Sequence, residues 1–102
     1  MKKTIAMVSA LALMSAMSAA QANETYTKTC AMCHAAGIAN APKFGDKLAW
    51  KDRIAQGKDT LYKHAIHGFK GAKGFMPAKG GNASLSDDAV KAAVDYMVAH
   101  AK

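Results

Sequence analysis

The chain has little cysteine, proline and aromatic side chain, and few acidic residues. Its 102 residues include two cysteines, two prolines and one tryptophan, and its seven acidic residues stand against fourteen basic ones, for a formal charge of +7. A chain this short holds one domain at most, which excludes a multidomain enzyme. Two cysteines are too few for a secreted scaffold built on many disulfides. Because 51% of the residues are apolar and 21% are charged, the composition also disfavours a disordered tail.

The first 22 residues have the pattern of an export signal. Two lysines follow the first methionine, residues 5–20 carry no charge, and Ala20 and Ala22 supply the small side chains that a signal peptidase needs. A membrane anchor is the alternative, but 16 uncharged residues are fewer than the ~20 needed to span a bilayer. We therefore expect a cleaved Sec-type signal peptide over residues 1–22, with cleavage after Ala22 favoured over Ala20. The remaining domain, residues 23–102, is then periplasmic and has no transmembrane anchor.

Removing that segment leaves a small, basic domain that needs additional stabilisation. The segment carries two lysines and no acidic residue, so the 80 residues that remain have a net charge of +5. A domain of this size buries only roughly 60–65% of its unfolded surface and is marginal without a staple or a bound group. We expect such a group to be present.

The spacing of apolar residues in this domain predicts an all-α fold of about four short helices, with no convincing period-two alternation. Asn23 is the predicted cap of a first helix that continues towards Cys33. Two short helices are predicted over residues 46–56 and 60–67, each opened by an aspartate and ended by a glycine.

The last helix is the most clearly marked element. Ser86 is its predicted N-cap, and two aspartates follow at the positive end of the helix dipole. One apolar stripe is predicted to face the core: Val90, Val94, Met97 and Ala101. Before this helix, residues 68–84 hold five of the eight glycines and predict a long irregular loop. Loops of this length inside compact domains are usually functional or disordered.

Cys30-Ala31-Met32-Cys33-His34 is the strongest chemical signature. Cysteines at i and i+3 lie on one face of a helix, so both thiols can add to the vinyl groups of one haem. The histidine that follows offers its imidazole to the iron, and the motif therefore predicts c-type haem attachment. A redox-active disulfide usually follows a strand in a βαβ unit, and a zinc site needs four ligands. A structural disulfide across so short a loop would stabilise little.

Met76 is the best candidate for the second axial ligand. Met32 is confined between the attachment cysteines, and Met97 belongs to the core stripe of the last helix. The remaining histidines lie on predicted helices or near the C-terminal end: His64, His67 and His100. Met76 lies in the glycine-rich loop, where Pro77 restricts it to an extended conformation and glycines allow close approach to a flat ligand. Packing or exposure is the alternative role, which the upstream motif disfavours.

Taken together, these motifs resemble those of small class I cytochromes c over residues 23–102, and more narrowly the bacterial cytochrome c-five type. The matching segments are residues 30–34, 41–46, Trp50 with Arg53, 74–82 and 85–87. The resemblance implies short helices around one covalently attached haem, with the first and last helices crossing. It assigns thioether bonds to Cys30 and Cys33 and axial bonds to His34 and Met76.

The resemblance also implies supporting contacts. The Pro42 carbonyl is expected to accept a hydrogen bond from His34, and Trp50 and Arg53 are expected to lie towards the propionates. Ala78 departs from the many relatives that have a second proline there, which could loosen the Met76 loop.

A histidine and a methionine would fill both axial positions of the iron, so we expect an electron carrier and not an enzyme. The thioether favours ferrous iron, and apolar wrapping disfavours the more highly charged ferric centre. The wrapping is expected from Phe44, Trp50, Ile54, Leu61, Phe69 and Phe75. Expected partners are acidic-faced redox proteins, such as membrane cytochrome complexes and terminal oxidases or reductases. We expect a monomer that binds no nucleic acid.

Five lysines bear on those partners. Lys70, Lys73 and Lys79 flank Met76, and Lys43 and Lys47 follow the first loop. They either ring the haem edge and steer acidic partners or only keep the surface solvated, and the sequence leaves both interpretations open.

Two other functions remain as alternatives. A labile Met76 would make the protein a haem-based ligand-binding or peroxide-reactive protein, and Cys30 with Cys33 would serve a thiol oxidoreductase that has no haem. A visible spectrum separates them. Sharp c-type bands in the reduced state exclude the thiol enzyme, and high-spin features in the oxidised state favour the ligand-binding protein.

The small size of the domain gives a first test. Because the haem supplies apolar mass that the chain lacks, we expect protein made without haem attachment to be largely unfolded. Far-ultraviolet circular dichroism of the haem-free protein measures this, and native-like helix content would refute it.

Overall fold

The computed structural model describes residues 23–72 and 74–102, which form four helices and one small hairpin. Helix α1 covers residues 24–34 and consists of a π-helical turn, Tyr26–Cys30, continued by the α-helix Ala31–His34. Helices α2, α3 and α4 are Lys47–Ala55, Lys58–His67 and Asp87–Ala99. Strands β1 and β2 are Phe69–Gly71 and Gly74–Met76, and 3₁₀ turns occupy Ile38–Asn40 and Ala78–Gly81. The predicted signal peptide, residues 1–22, lies outside the described residues.

No helix within the described part of the chain has the length and apolar character needed to cross a bilayer.

Three predicted helix caps are confirmed. Each side-chain oxygen accepts from the backbone N–H three residues later: Asn23 from Tyr26 at 2.9 Å, Asp46 from Ala49 at 3.1 Å, and Ser86 from Ala89 at 3.1 Å. Each cap satisfies an N–H group that has no partner within its helix. Helix α3 differs, because it begins at Lys58 after Gly57, two residues before its predicted start.

Helix α4 forms the centre of the core. All four residues of the predicted stripe are buried, with Val90, Val94 and Met97 on the helix and Ala101 two residues beyond its end. The positions on either side of this stripe are also covered, since Ala93 is 0% and Val98 is 1% exposed. Helix α1 packs against α4 with the rings of Tyr26 and Tyr96 5.3 Å apart. The first and last helices are therefore in contact, in agreement with the resemblance, which implied that they cross.

The glycine-rich segment is more regular than its composition predicts. Residues 69–71 and 74–76 pair as antiparallel strands, in which Phe69 pairs with Met76 and Lys70 pairs with Phe75. The prediction of an irregular loop is wrong for these residues. Strands of three residues are too short to show period two, and the exposed β1 has no buried face to mark it. The fold class remains all-α, with Met76 held on a strand.

The start of the hairpin depends on Gly68. This residue has a φ of +89°, and a Cβ atom there would lie 3.1 Å from both the Met76 carbonyl oxygen and the Ala78 nitrogen. Only glycine combines that backbone conformation with so close an approach. The backbone at the end of α3 is thus in close contact with the segment that carries Met76.

A polar bridge ties α3 to α4 at the surface. The Tyr62 hydroxyl donates to the Asp95 carboxylate, and Lys58 Nζ lies 3.3 Å from the same carboxylate. The Lys91 ammonium lies 5.7 Å from the centre of the Tyr62 ring. The hydrogen bond to Asp95 raises the pKa of Tyr62 above its ordinary value of 10.0, because ionisation would lose the bond and bring two negative charges together.

This bridge predicts a pH-dependent effect of Tyr62→Phe. The variant should lower the free energy of unfolding near pH 7 by up to about 1 kcal/mol, because the ring stays and one exposed hydrogen bond is lost. Since the pKa of Tyr62 is raised, its contribution is complete below pH 10.0 and is lost as the pH rises through the raised pKa. The difference between variant and wild type should therefore shrink above pH 10.0.

Urea unfolding near pH 7 and about pH 11 measures both quantities. Tyr96→Phe is the control, because the described residues offer its hydroxyl no hydrogen-bond partner. A Tyr62→Phe difference of unchanged size at high pH would contradict the assignment.

Candidate functional site

A cavity of about 650 Å³ lies among the four helices and the hairpin. Its volume is within the ~300–1,000 Å³ that small-molecule and cofactor sites occupy. The lining is largely apolar and includes Trp50, Leu61, Ala65, Phe69, Phe75, Val94 and Met97. Helix α1 supplies polar and sulfur atoms to the same cavity. The site is therefore an apolar cavity into which one helix brings a few polar and sulfur atoms.

Both cysteines of the motif line this cavity as free thiols. Cys30 is buried and Cys33 is half-buried. Burial raises the pKa of the Cys30 thiol, whereas thiol–disulfide exchange relies on a lowered pKa at a helix N-terminus or beside a cation. Cys30 instead lies within the continuous helix α1. These surroundings disfavour the thiol oxidoreductase.

His34 lines the cavity with one ring nitrogen already engaged. The residue is 7% exposed, and its Nδ1 lies 2.9 Å from the Pro42 carbonyl oxygen. Because that oxygen only accepts, Nδ1 carries the proton and Nε2 keeps its lone pair. Burial lowers the pKa of His34, which favours the neutral imidazole that metals bind. The hydrogen bond that the family resemblance implied is present.

Trp50 secures the loop that holds His34. Its indole N–H donates to the Lys43 carbonyl at 3.1 Å, and its ring centre lies 5.9 Å from that of His34. Phe44 N–H donates in turn to the His34 carbonyl at 2.7 Å. Trp50 thus helps to hold the loop that orients His34, and its indole N–H already has an acceptor within the protein.

Arg53 also lines the cavity, and its Nη1 donates to the Ala49 carbonyl at 2.7 Å. Its remaining guanidinium donors stay available to an anionic group on that side. That Arg53 lies towards the propionates stays a prediction.

Met76 lines the same cavity from strand β2. Pro77 follows in an extended conformation, and the chain then turns through Ala78–Gly81 against α1. A Cβ atom at Gly80 would lie 3.0 Å from Thr29 Cγ2, one residue before Cys30. The segment that follows Met76 is therefore packed on the helix that carries the thiols. All four predicted site residues lie in one cavity.

The other methionines and histidines considered as ligands differ in whether they reach the cavity. Met32 is 74% exposed at the edge of the cavity. Met97, predicted as core, is 3% exposed and also lines the cavity, as does His64. His67 and His100 are exposed. The periodicity of the sequence indicated that Met97 is buried, but it did not indicate that Met97 also lines the cavity.

Two of the six expected wrapping residues have a different role. Phe44 packs against Tyr26, with ring centres 4.9 Å apart, and Ile54 packs against the main core. Neither is part of the described cavity lining. The loop after α1 directs Phe44 towards α4, which the sequence alone did not indicate. The other four line the cavity: Trp50, Leu61, Phe69 and Phe75.

The five lysines for which two roles were left open differ in their surroundings. Lys79 Nζ donates to the Leu85 carbonyl at 2.7 Å and lies 3.2 Å from Asp87, so its charge is engaged inside the protein. Lys43, Lys47 and Lys70 are exposed. Lys73 lies outside the described residues.

These donors fit a haem held through two thioether bonds. Two thiols at i and i+3 could form the bonds, a neutral imidazole and a thioether could ligate iron, and the apolar lining of the cavity would suit the macrocycle. Within residues 23–72 and 74–102, no group of three or more His, Cys, Asp or Glu side chains could hold a metal ion by itself. A zinc site would require such a group.

Comparison with known proteins agrees with this site. Residues 17–97 match the family described as cytochrome c oxidase, cbb3-type, subunit III. The chain is 55% identical over 87 residues to cytochrome c-555 of Chlorobaculum tepidum, covering 85% of this chain and 81% of that protein. It is 40% identical over 81 residues to cytochrome c5 of Ectopseudomonas mendocina, covering 78% of this chain and 88% of that protein.

A solved structure extends the comparison to the fold. Its description is an electron transfer complex of nitrite reductase with cytochrome c, and one chain of it is 42% identical to this one. The two superpose with a TM-score of 0.67 over 80% of this chain and all of that chain.

The Trp50–Lys43 hydrogen bond predicts a specific loss of stability. Trp50→Phe keeps an aromatic ring beside His34 but removes the indole donor, and it should lower the free energy of unfolding by about 1 kcal/mol. Lys43→Ala keeps the accepting carbonyl and should change stability by less than about 0.5 kcal/mol. Urea unfolding of the two variants tests this, and equal losses would show that the hydrogen bond is not responsible.

Proposed function

The chain belongs to the small class I c-type cytochromes, and we propose that it is a periplasmic electron carrier whose haem iron is ligated by His34 and Met76. The family carries one covalently attached haem c. The observation that carries the proposal is that both motif cysteines, His34 and Met76 line one apolar cavity. In this assignment Cys30 and Cys33 form the thioether bonds.

The chain's own residues define the properties of the carrier. The bound haem supplies a one-electron couple between ferrous and ferric iron. Pro42 holds the His34 ring in one orientation and one tautomer, so the ligand is the same in both oxidation states. Val94 and Met97 exclude water from the cavity, which disfavours the additional positive charge of the ferric state.

The same ligand set argues against an enzyme. With His34 and Met76 on the iron, no axial position is left for oxygen, peroxide or another substrate. A protein of this kind accepts an electron from one partner and passes it to the next.

Exposed apolar residues mark where a partner would approach. Met32, Phe69 and Phe75 line the cavity and are 74%, 42% and 59% exposed. Lys70, on strand β1 beside Phe75, is exposed and adds positive charge. The structural relative described as a complex with nitrite reductase supports a redox enzyme as the partner. We infer an acidic-faced redox enzyme that docks over these residues at a rate that falls with ionic strength, and a carrier that works as a monomer.

The periplasmic location rests on the export pattern in the sequence. Thioether attachment to haem and an Ala20-Gln21-Ala22 processing pattern are both consistent with export.

The distal ligand is tested by Met76→Ala. The wild type should show sharp c-type bands when reduced and a far-red methionine–iron band when oxidised. The variant should lose the far-red band, and its reduction potential should fall by on the order of 100 mV, a fraction of the ~0.8 V range that axial ligands span. Absorption spectroscopy and a redox titration measure these changes.

Two controls come from the same cavity. Met97→Leu removes the other buried thioether, and His64→Ala removes the other imidazole that lines it. Both should keep the far-red band. If Met76→Ala keeps the band and Met97→Leu loses it, the distal assignment is wrong. High-spin features in the oxidised wild type would favour the ligand-binding protein.

A further inference from the structure

Lys79 is held by two partners, unlike a lysine that only solvates a surface. Its Nζ donates to the Leu85 carbonyl at 2.7 Å and lies 3.2 Å from Asp87 Oδ1. Its side chain is 22% exposed, whereas that of Lys58, in the α3–α4 bridge, is 50% exposed. Charge-assisted hydrogen bonds in such partly buried positions are stronger than exposed ion pairs.

Both partners belong to the start of α4. Leu85 immediately precedes the Ser86 cap, and Asp87 lies in the first turn of the helix. The backbone between them and Lys79 forms a compact loop, since Asn82 N–H donates to the Lys79 carbonyl and Leu85 N–H donates to the Asn82 carbonyl, both at 3.1 Å. Lys79 therefore fastens the segment that follows Met76 to the start of α4, the most deeply buried helix.

The backbone at Lys79 is unfavourable for a lysine. Its φ is +53° and its ψ is +32°, in the left-handed region that favours glycine. Gly80 and Gly81 follow with positive φ values, so a lysine stands at the first of three such positions. A non-glycine residue persists in this conformation when other contacts hold it there, and the ammonium bridge is such a contact.

We propose that Lys79 is a positioning residue for Met76, acting through its bridge to Leu85 and Asp87. The proposal rests on the proposed function, in which Met76 is the axial ligand. With the bridge formed, the Ala78–Gly81 turn stays packed and Met76 remains at the cavity. When the bridge opens, the turn is released from α4 and Met76 leaves the cavity more often.

Exogenous imidazole measures how often Met76 leaves, because it binds iron only when that position is open. Its apparent dissociation constant equals the intrinsic constant divided by the open fraction. Lys79→Met should lower the apparent constant at least about tenfold, as expected from losing a charge-assisted hydrogen bond. Lys70→Met removes one positive charge from the adjacent hairpin and should leave it unchanged, since Lys70 forms no ion pair in the described ranges.

The bridge is tested from its other end by a matched pair in the first turn of α4. Asp87→Asn removes the partner of Lys79, and Asp88→Asn removes a neighbouring carboxylate that also lies at the positive end of the helix dipole but has no ion pair among the described residues. Asp87→Asn should lower the imidazole constant, and Asp88→Asn should not. Combining Lys79→Met with Asp87→Asn should give less than the product of the two fold-changes, because they remove one shared contact. Asp87→Asn also keeps the test available if Lys79→Met does not fold.

Amide hydrogen exchange gives a readout that does not involve the iron. In Lys79→Met, exchange should speed up at Gly80 and Asn82, whose N–H groups donate within the turn, and stay unchanged at Val94 on α4. Faster exchange at all three positions would show general destabilisation and overturn the proposal.

Failure of the proposed function and failure of the positioning role of Lys79 give different results. If the wild type has the methionine–iron band but Lys79→Met binds imidazole as Lys70→Met does, the positioning role is overturned while the proposed function stands. If the wild type lacks the band, the proposed function fails, and the positioning role fails with it.

Discussion

The need to complete an apolar core with a bound group is the constraint on which the rest of this structure depends. All four helices and the hairpin contribute to the lining of a cavity of about 650 Å³. The protein's own buried cluster is centred on α4, and Val94 and Met97 belong to both the cluster and the cavity lining. Folding and haem binding therefore share the same side chains. A change at either residue acts on stability and on the surroundings of the iron together.

The two sides of the cavity are supported by different means. On the His34 side, support runs through backbone carbonyls, with Pro42 orienting the ring and Trp50 fastening the same loop through Lys43. On the Met76 side, support comes from strand pairing, from close backbone packing at Gly68 and from an ammonium bridge. Carbonyl acceptors survive most substitutions, so the His34 side depends on residue identity chiefly at Trp50, whereas the Met76 side depends on it at both the glycine and the lysine. The Met76 side is therefore the more easily altered by mutation.

Sequence reasoning succeeded where the signal is local. The spacing of Cys30, Cys33 and His34 and the caps at Asn23, Asp46 and Ser86 each depend on residues within one helical turn. Met76 was a candidate because Pro77 and nearby glycines restrict or free the backbone at the position itself. The resemblance to a known family added Pro42, whose carbonyl lies eight residues from His34 and leaves no pattern of its own.

The remaining features depend on tertiary contacts. The hairpin was missed because its strands are three residues long and its pairing is decided by the closing of the chain at Gly68. Phe44 was assigned to the cavity by its hydrophobicity, but the path of the loop directs it to Tyr26. For Lys79 the sequence left a partner-steering and a solvating role open and indicated no internal bridge, since a lysine six residues before a carbonyl acceptor has no distinctive spacing.

The π-helical turn in α1 sets the rotational register between two faces of one helix. In this turn the Ala31 N–H bonds to the Tyr26 carbonyl, five residues back, so it holds one residue more than a regular α-helical turn. Each residue of an α-helix advances about 100° around the axis. If the same residues were wound as a regular α-helix, the extra residue would rotate the aromatic end by about that angle relative to the thiols. The π turn therefore allows Tyr26 to pack on α4 while Cys30 and Cys33 both line the cavity.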